Sequence, residues 1–77
     1  MTTDELANKL PEVVQKKPDD TDEIENWYLS VEKKPDGWVT KYTYFYYEPM
    51  DYFDFKATTL NDSMELMYQY LLSEKLV

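Results

Sequence analysis

The groups able to do chemistry in this chain are sixteen carboxylates, eight lysine ammoniums and eight phenols, with no histidine, cysteine or arginine beside them. Without His there is no imidazole to carry protons or ligate a metal near neutral pH. Without Cys there is no thiolate nucleophile and no disulfide. The carboxylates are densest at Asp19, Asp20, Asp22, Glu23 and Glu25, five acids in seven residues. Such oxygen clusters suit hard cations, and Asp20-Thr21-Asp22 begins like a calcium loop. The loop pattern then fails: Ile24 stands at a ligand position, Glu25 where the turn needs glycine, and Val31 where a bidentate glutamate belongs. Two carboxylates run acid–base catalysis only when one is buried in a cleft with a raised pKa. Here every Asp and Glu falls in a loop, on a helix exterior or on the polar face of a strand. One glycine cannot build a phosphate loop. No catalytic residue, cofactor or metal is expected, and a minimal carboxylate enzyme is the weakest of the remaining function classes.

What remains is binding. The net charge is −8 and the isoelectric point about 4.3. Residues 1–25 carry eight acids and three lysines, and residues 26–77 eight acids and five lysines, so the negative field is weighted toward the N-terminal third. Such a chain repels phosphates rather than releasing counterions from them, so direct binding of nucleic acid is not expected. Two sets of side chains are candidates for a protein partner. The first is the acidic run Asp19, Asp20, Asp22, Glu23 and Glu25, which would act together and with strong salt dependence. The second is Tyr28, Tyr42, Tyr44 and Tyr46, because tyrosine is enriched at binding hot spots and several together make an exposed patch. In size, charge and lack of catalytic groups the chain resembles phage-encoded inhibitors of host defence, many of which array carboxylates like phosphates. That resemblance implies a non-enzymatic accessory protein or inhibitor acting on a basic or hydrophobic surface of a host protein. The alternative is a self-associating homodimer.

These candidates must be positioned by a small fold. The 77 residues leave room for one domain, 1–77, and no deep cavity. Aromatic residues make up 17% of the chain, too many for a disordered acidic tail. No apolar run approaches the ~18 residues of a membrane span. The opening Met-Thr-Thr-Asp-Glu has neither the basic nor the apolar segment of a signal peptide. A cytoplasmic protein without membrane association is expected.

Thr2 and Glu5 stand at the spacing of a capping box, and Leu6, Leu10, Val13 and Val14 continue one helical stripe. Pro11 interrupts it, which predicts either a kink or a short turn followed by a second helical piece from near Asn8. Lys16, Lys17 and Pro18 end the element. Asn26–Lys33 alternates as a strand, with Trp27, Leu29 and Val31 on one face. Pro35-Asp36-Gly37 predicts a three-residue hairpin with Lys34 opposite Trp38 and Gly37 in a left-handed conformation. A long strand over Trp38–Glu48 and a third over Tyr52–Thr58 follow. That register places Trp27, Leu29, Val31, Phe45, Phe53 and Phe55 in the core and leaves the four tyrosines outside. A final helix is capped by Thr59 or Asn61 and striped by Leu60, Met64, Met67 and Leu71.

The expected architecture is α+β, a two-layer α-β-β-β-α sandwich whose three-stranded antiparallel sheet carries both helices on one face. This order resembles that of the double-stranded-RNA-binding domain in topology. That family grips phosphates with lysines at the start of its last helix. The matching stretch here is Asn61, Asp62, Ser63, Met64 and Glu65, which would repel them. The likeness is therefore one of architecture.

Overall fold

A computed structural model describes residues 1–20, 22–45 and 50–77. It is an α+β fold in the order α1 (Thr3–Lys9), β1 (Val13–Lys16), β2 (Glu25–Lys34), β3 (Gly37–Tyr44), β4 (Asp51–Ala57) and α2 (Leu60–Ser73). The four strands form one antiparallel sheet in sequential order.

The first helix starts as its sequence dictates. The Thr2 hydroxyl accepts from the Glu5 backbone N–H at 3.2 Å, and the Glu5 carboxylate accepts from the Thr2 N–H at 3.3 Å. Pro11 then does more than kink it. The residue before a proline is driven out of the helical region, and Leu10 sits at φ −85°, ψ 112°. The chain emerges extended, and Val13–Lys16 pairs with Glu25–Tyr28. The expected second helical piece is thus a strand, and the sheet has four strands rather than three. The double-stranded-RNA-binding order is lost with that correction.

The second correction is in register. Lys34 lies opposite Gly37, so the β2–β3 loop contains two residues, Pro35 and Asp36, rather than three. Gly37 opens β3 at φ +158°, and a Cβ there would collide with the backbone carbonyl oxygen of Ala57 on β4. The glycine is needed for close approach of two strands, not for a left-handed turn. Shifting the register by one residue exchanges the faces of β3. Tyr42 lies opposite Leu29 and Phe53, while Thr43 lies opposite Tyr28 and Tyr52.

One sheet face is covered by the helices. Leu6 and Leu10 from the first segment, Val14, Trp27 and Tyr42 from the sheet, and Met64, Met67 and Leu71 from α2 form a single buried cluster. Thr59 caps α2 by accepting from the Asp62 N–H at 3.1 Å. Beneath the helix, the hydroxyls of Thr40 and Ser63 share a buried hydrogen bond of 2.9 Å. Asn61 ties the two helices together by donating to the Met1 carbonyl at 3.0 Å and to Thr3 Oγ1 at 3.2 Å. The end of α2 closes with Lys75 at φ +58°, the Lys75 N–H on Leu72 O at 3.2 Å and the Leu76 N–H on Leu71 O at 2.8 Å. This is a Schellman closure with lysine where glycine is usual.

Candidate functional site

The register decides where the tyrosines go. Tyr28 is 46% exposed on the sheet face away from the helices. Tyr42 is fully buried on the helix side and donates its phenol to the Pro11 carbonyl at 2.7 Å. Burial holds its phenol in the neutral form well above the ordinary tyrosine range. Tyr44 is half-buried on that same side and stacks on Trp27 at 5.5 Å and 24°. Tyr46 lies outside the described residues. The expected four-tyrosine face therefore does not form: Tyr42 and Tyr44 are core and near-core side chains, and Tyr28 alone of the described three faces outward. The same exchange expels Phe45, expected in the core, to 58% exposure. Its ring lies 5.8 Å from that of Tyr28.

The acidic run leads into β2. Asp19, Asp20, Asp22 and Glu23 are exposed in the connector, and Lys17 approaches Asp22 at 3.9 Å. Glu25, the first residue of β2, accepts from the Trp27 indole N–H at 3.2 Å and pairs in register with Lys16. The Lys16 ammonium lies 4.8 Å from the Trp27 ring and 5.1 Å from that of Phe53, so the indole is held at the core margin by a cation and a carboxylate together. Among the described residues no group of three or more carboxylates converges to hold a metal ion.

What sequence reasoning missed is that the two candidate sets meet. Glu23, Ile24, Asn26, Tyr28, Tyr44 and Phe45 line one shallow groove. Ile24, with 56% of its surface exposed, joins Tyr28 and Phe45 as its apolar part. The alternation of β2 places Tyr28 outward, as found, but nothing local places Phe45 beside it, because its face depends on the length of the β2–β3 loop.

The rest of the open face is an interleaved charge pattern. Glu32 accepts from Lys34 at 2.8 Å and from Lys41 at 3.1 Å, and these partners hold its carboxyl below the usual range. Lys41 also lies 5.3 Å from the Tyr52 ring, and Lys56 reaches Asp36 at 2.7 Å.

No protein-family model, curated protein or solved structure matches the chain.

No helix among the described residues is long and apolar enough to cross a membrane.

Proposed function

We propose that this chain is a small non-enzymatic interaction protein that docks a protein partner on the groove formed by Ile24, Tyr28 and Phe45. The observation that carries this reading is the exposed Tyr28–Phe45 ring pair with Ile24 beside it and Glu23 on the same groove. Aromatic side chains left in water at one point of a small domain are the material of a binding hot spot. The adjoining acids Asp19, Asp20, Asp22 and Glu23 add a negative rim that steers and orients a basic surface. The complementary partner presents an apolar knob bordered by lysine or arginine. An accessory or inhibitor role against a host protein, suggested by the likeness in size and charge to phage inhibitors, fits such a surface.

Because Glu23 and Tyr28 share one groove, their contributions to binding should be coupled rather than additive. The test is affinity capture from a lysate of the source cell or its host, with wild type and a Tyr28→Ser/Phe45→Ser variant as baits. A protein held by wild type and lost by the variant, with wild-type circular dichroism in both, is the expected result. Equal capture by both baits would overturn the assignment of the site.

A further inference from the structure

Strand β4 is the last strand of the sheet, and among the described residues no strand lies on its outer side. The alternation of hydrogen bonds fixes which groups it leaves unpaired. The Leu29 N–H donates to Glu12 O, so odd residues of β2 bond toward β1 and even residues toward β3. Carried through the β2–β3 and β3–β4 registers, Tyr52, Asp54 and Lys56 direct their backbone N–H and C=O groups outward from β4, the Tyr52 N–H being capped by the Asp51 carboxylate at 3.0 Å. Their side chains are exposed as well.

The other edge is blunted. Strand β1 has four residues between Pro11 and Pro18, and the stretch of β2 beyond it carries Lys33 and Lys34 into Pro35. Strand β4 has seven residues and no internal proline.

We infer that β4 is a self-pairing edge whose partner is a second copy of this chain, joined antiparallel about Phe55. The charges select this arrangement. A two-fold register centred on Asp54 would set two carboxylates face to face. Centred on Phe55, the register places Asp54 opposite Lys56 of the second copy, twice, with Phe55 opposite its own counterpart. Lys56 already reaches Asp36 of its own chain at 2.7 Å, so in the pair its ammonium lies between two carboxylates.

The helix side of this edge carries a second, independent sign. Phe53 and Phe55 are half-buried there, and both contact the Tyr70 ring, at 5.2 and 5.4 Å. One helical turn before Tyr70, and on the same side of α2, Leu66 stands 46% exposed. Lys9 and Thr3 of α1 meet Tyr68 and Asn61 on the opposite side of α2, so α1 leaves this apolar shoulder uncovered. A second copy joined at β4 would bring its own α2 alongside and cover Leu66 and Tyr70. The result is one continuous eight-stranded sheet with all four helices on one face. The Tyr28–Phe45 groove lies on the other face and stays open.

The experiment is sedimentation equilibrium of the full chain, from micromolar to millimolar, with circular dichroism on each variant. Wild type should dimerise reversibly. Asp54→Lys sets lysine against lysine across the edge, and Lys56→Asp sets aspartate against aspartate. Each should weaken the dimer by about ten-fold or more. Net charge alone predicts otherwise for one of them, because Asp54→Lys lowers the repulsion between copies by moving the charge from −8 to −6. An equimolar mixture of the two variants should form a heterodimer with wild-type affinity, since every pair across the edge is then of opposite sign. That rescue also proves both variants folded. A wild type that stays monomeric, an Asp54→Lys chain that dimerises more tightly, or a mixture that forms no heterodimer would each overturn the proposal. A dimer broken by Leu66→Glu but indifferent to both charge variants would place the contact on α2 and overturn it too.

Discussion

Replacing Tyr42 by phenylalanine separates the buried clamp from an exposed binding residue. The ring would remain in place, fully buried and 5.6 Å from Phe53, so packing is conserved and only the phenol is lost. That phenol holds the Pro11 carbonyl at 2.7 Å, across 31 residues of sequence. Its removal deletes one hydrogen bond and leaves a partly covered carbonyl without its donor, a loss of about 1–2 kcal/mol. For a domain of this size that loss lowers the melting temperature by about 4–16 °C. With a urea m-value of about 1 kcal/mol per molar, the midpoint falls by about 1–2 M. Urea melts followed by circular dichroism measure it, with Tyr28→Phe as the exposed control, expected to stay within about 0.5 kcal/mol of wild type. The clamp also makes an alkaline signature. Burial raises the folded pKa of Tyr42 above the unfolded value of about 10, so the neutral phenol stabilises the fold. That contribution is complete below pH ~10 and disappears as pH rises from there through the folded value. Tyr42→Phe should lack this part of the alkaline loss. A Tyr42→Phe chain as stable as wild type, with the same alkaline profile, would refute the clamp.

Three further outcomes follow from the same geometry. Leu71→Ala should cost about 2–5 kcal/mol in urea melts, because Leu71 is fully buried where α2 meets the sheet. Lys75→Gly should raise stability by about 0.5–1 kcal/mol in the same assay, since it relieves a left-handed lysine while keeping the backbone closure on Leu71 and Leu72. In acid, the Thr2 backbone N–H, the Lys34 ammonium and the Lys56 ammonium hold Glu5, Glu32 and Asp36, respectively, below the usual carboxylate range. Their stabilisation is present above the unfolded values of about 4 and is lost as pH falls below them, so the melting temperature should drop between pH ~4 and ~2 and drop less in Glu32→Gln.

The parts of the fold that were legible are those governed by neighbouring residues. The capping box at Thr2 and Glu5, the Thr59 cap and the Met64–Met67–Leu71 stripe each follow from spacing within one or two turns. The helix α2 and the cores of β2 and β4 accordingly stand where their patterns put them. Strand β1 was hidden because Leu6, Leu10, Val13 and Val14 fit a helical stripe as well as they fit a helix followed by a strand. The deciding signal was Pro11 acting on Leu10, ahead of the β-branched pair Val13-Val14. The hairpin register was hidden for a different reason. Both loop lengths satisfy Pro-Asp-Gly, and what selects two residues is the contact of Gly37 with Ala57, a strand that the hairpin sequence does not contain. The candidate site inherited that error, because one residue of slip moved Tyr42 and Tyr44 inward and Phe45 outward. Four acids of the run, Asp19, Asp20, Asp22 and Glu23, stand exposed in the connector where composition put them, whereas Glu25 is half-buried as the first residue of β2.

The N-terminal sixteen residues are attached to the rest of the domain in a way that bears on folding order. Helix α1 has seven residues and β1 has four, too few for either to persist alone in water. Strand β1 pairs with β2, whose near end Glu25 is nine residues from Lys16, and the rest of the segment is held by side chains that arrive late in the chain: Tyr42 on Pro11, Asn61 on Met1 and Thr3, and the α2 residues that bury Leu6 and Leu10. Closing these side-chain hydrogen bonds spans 31 to 60 residues, whereas the β2–β3 hairpin closes over a two-residue loop. The hairpin is therefore the natural first structure, and the N-terminal segment docks onto a sheet and helix already built. The same order predicts that in the native protein this segment opens before the rest, so its amides should exchange with solvent ahead of those in β2, β3 and α2.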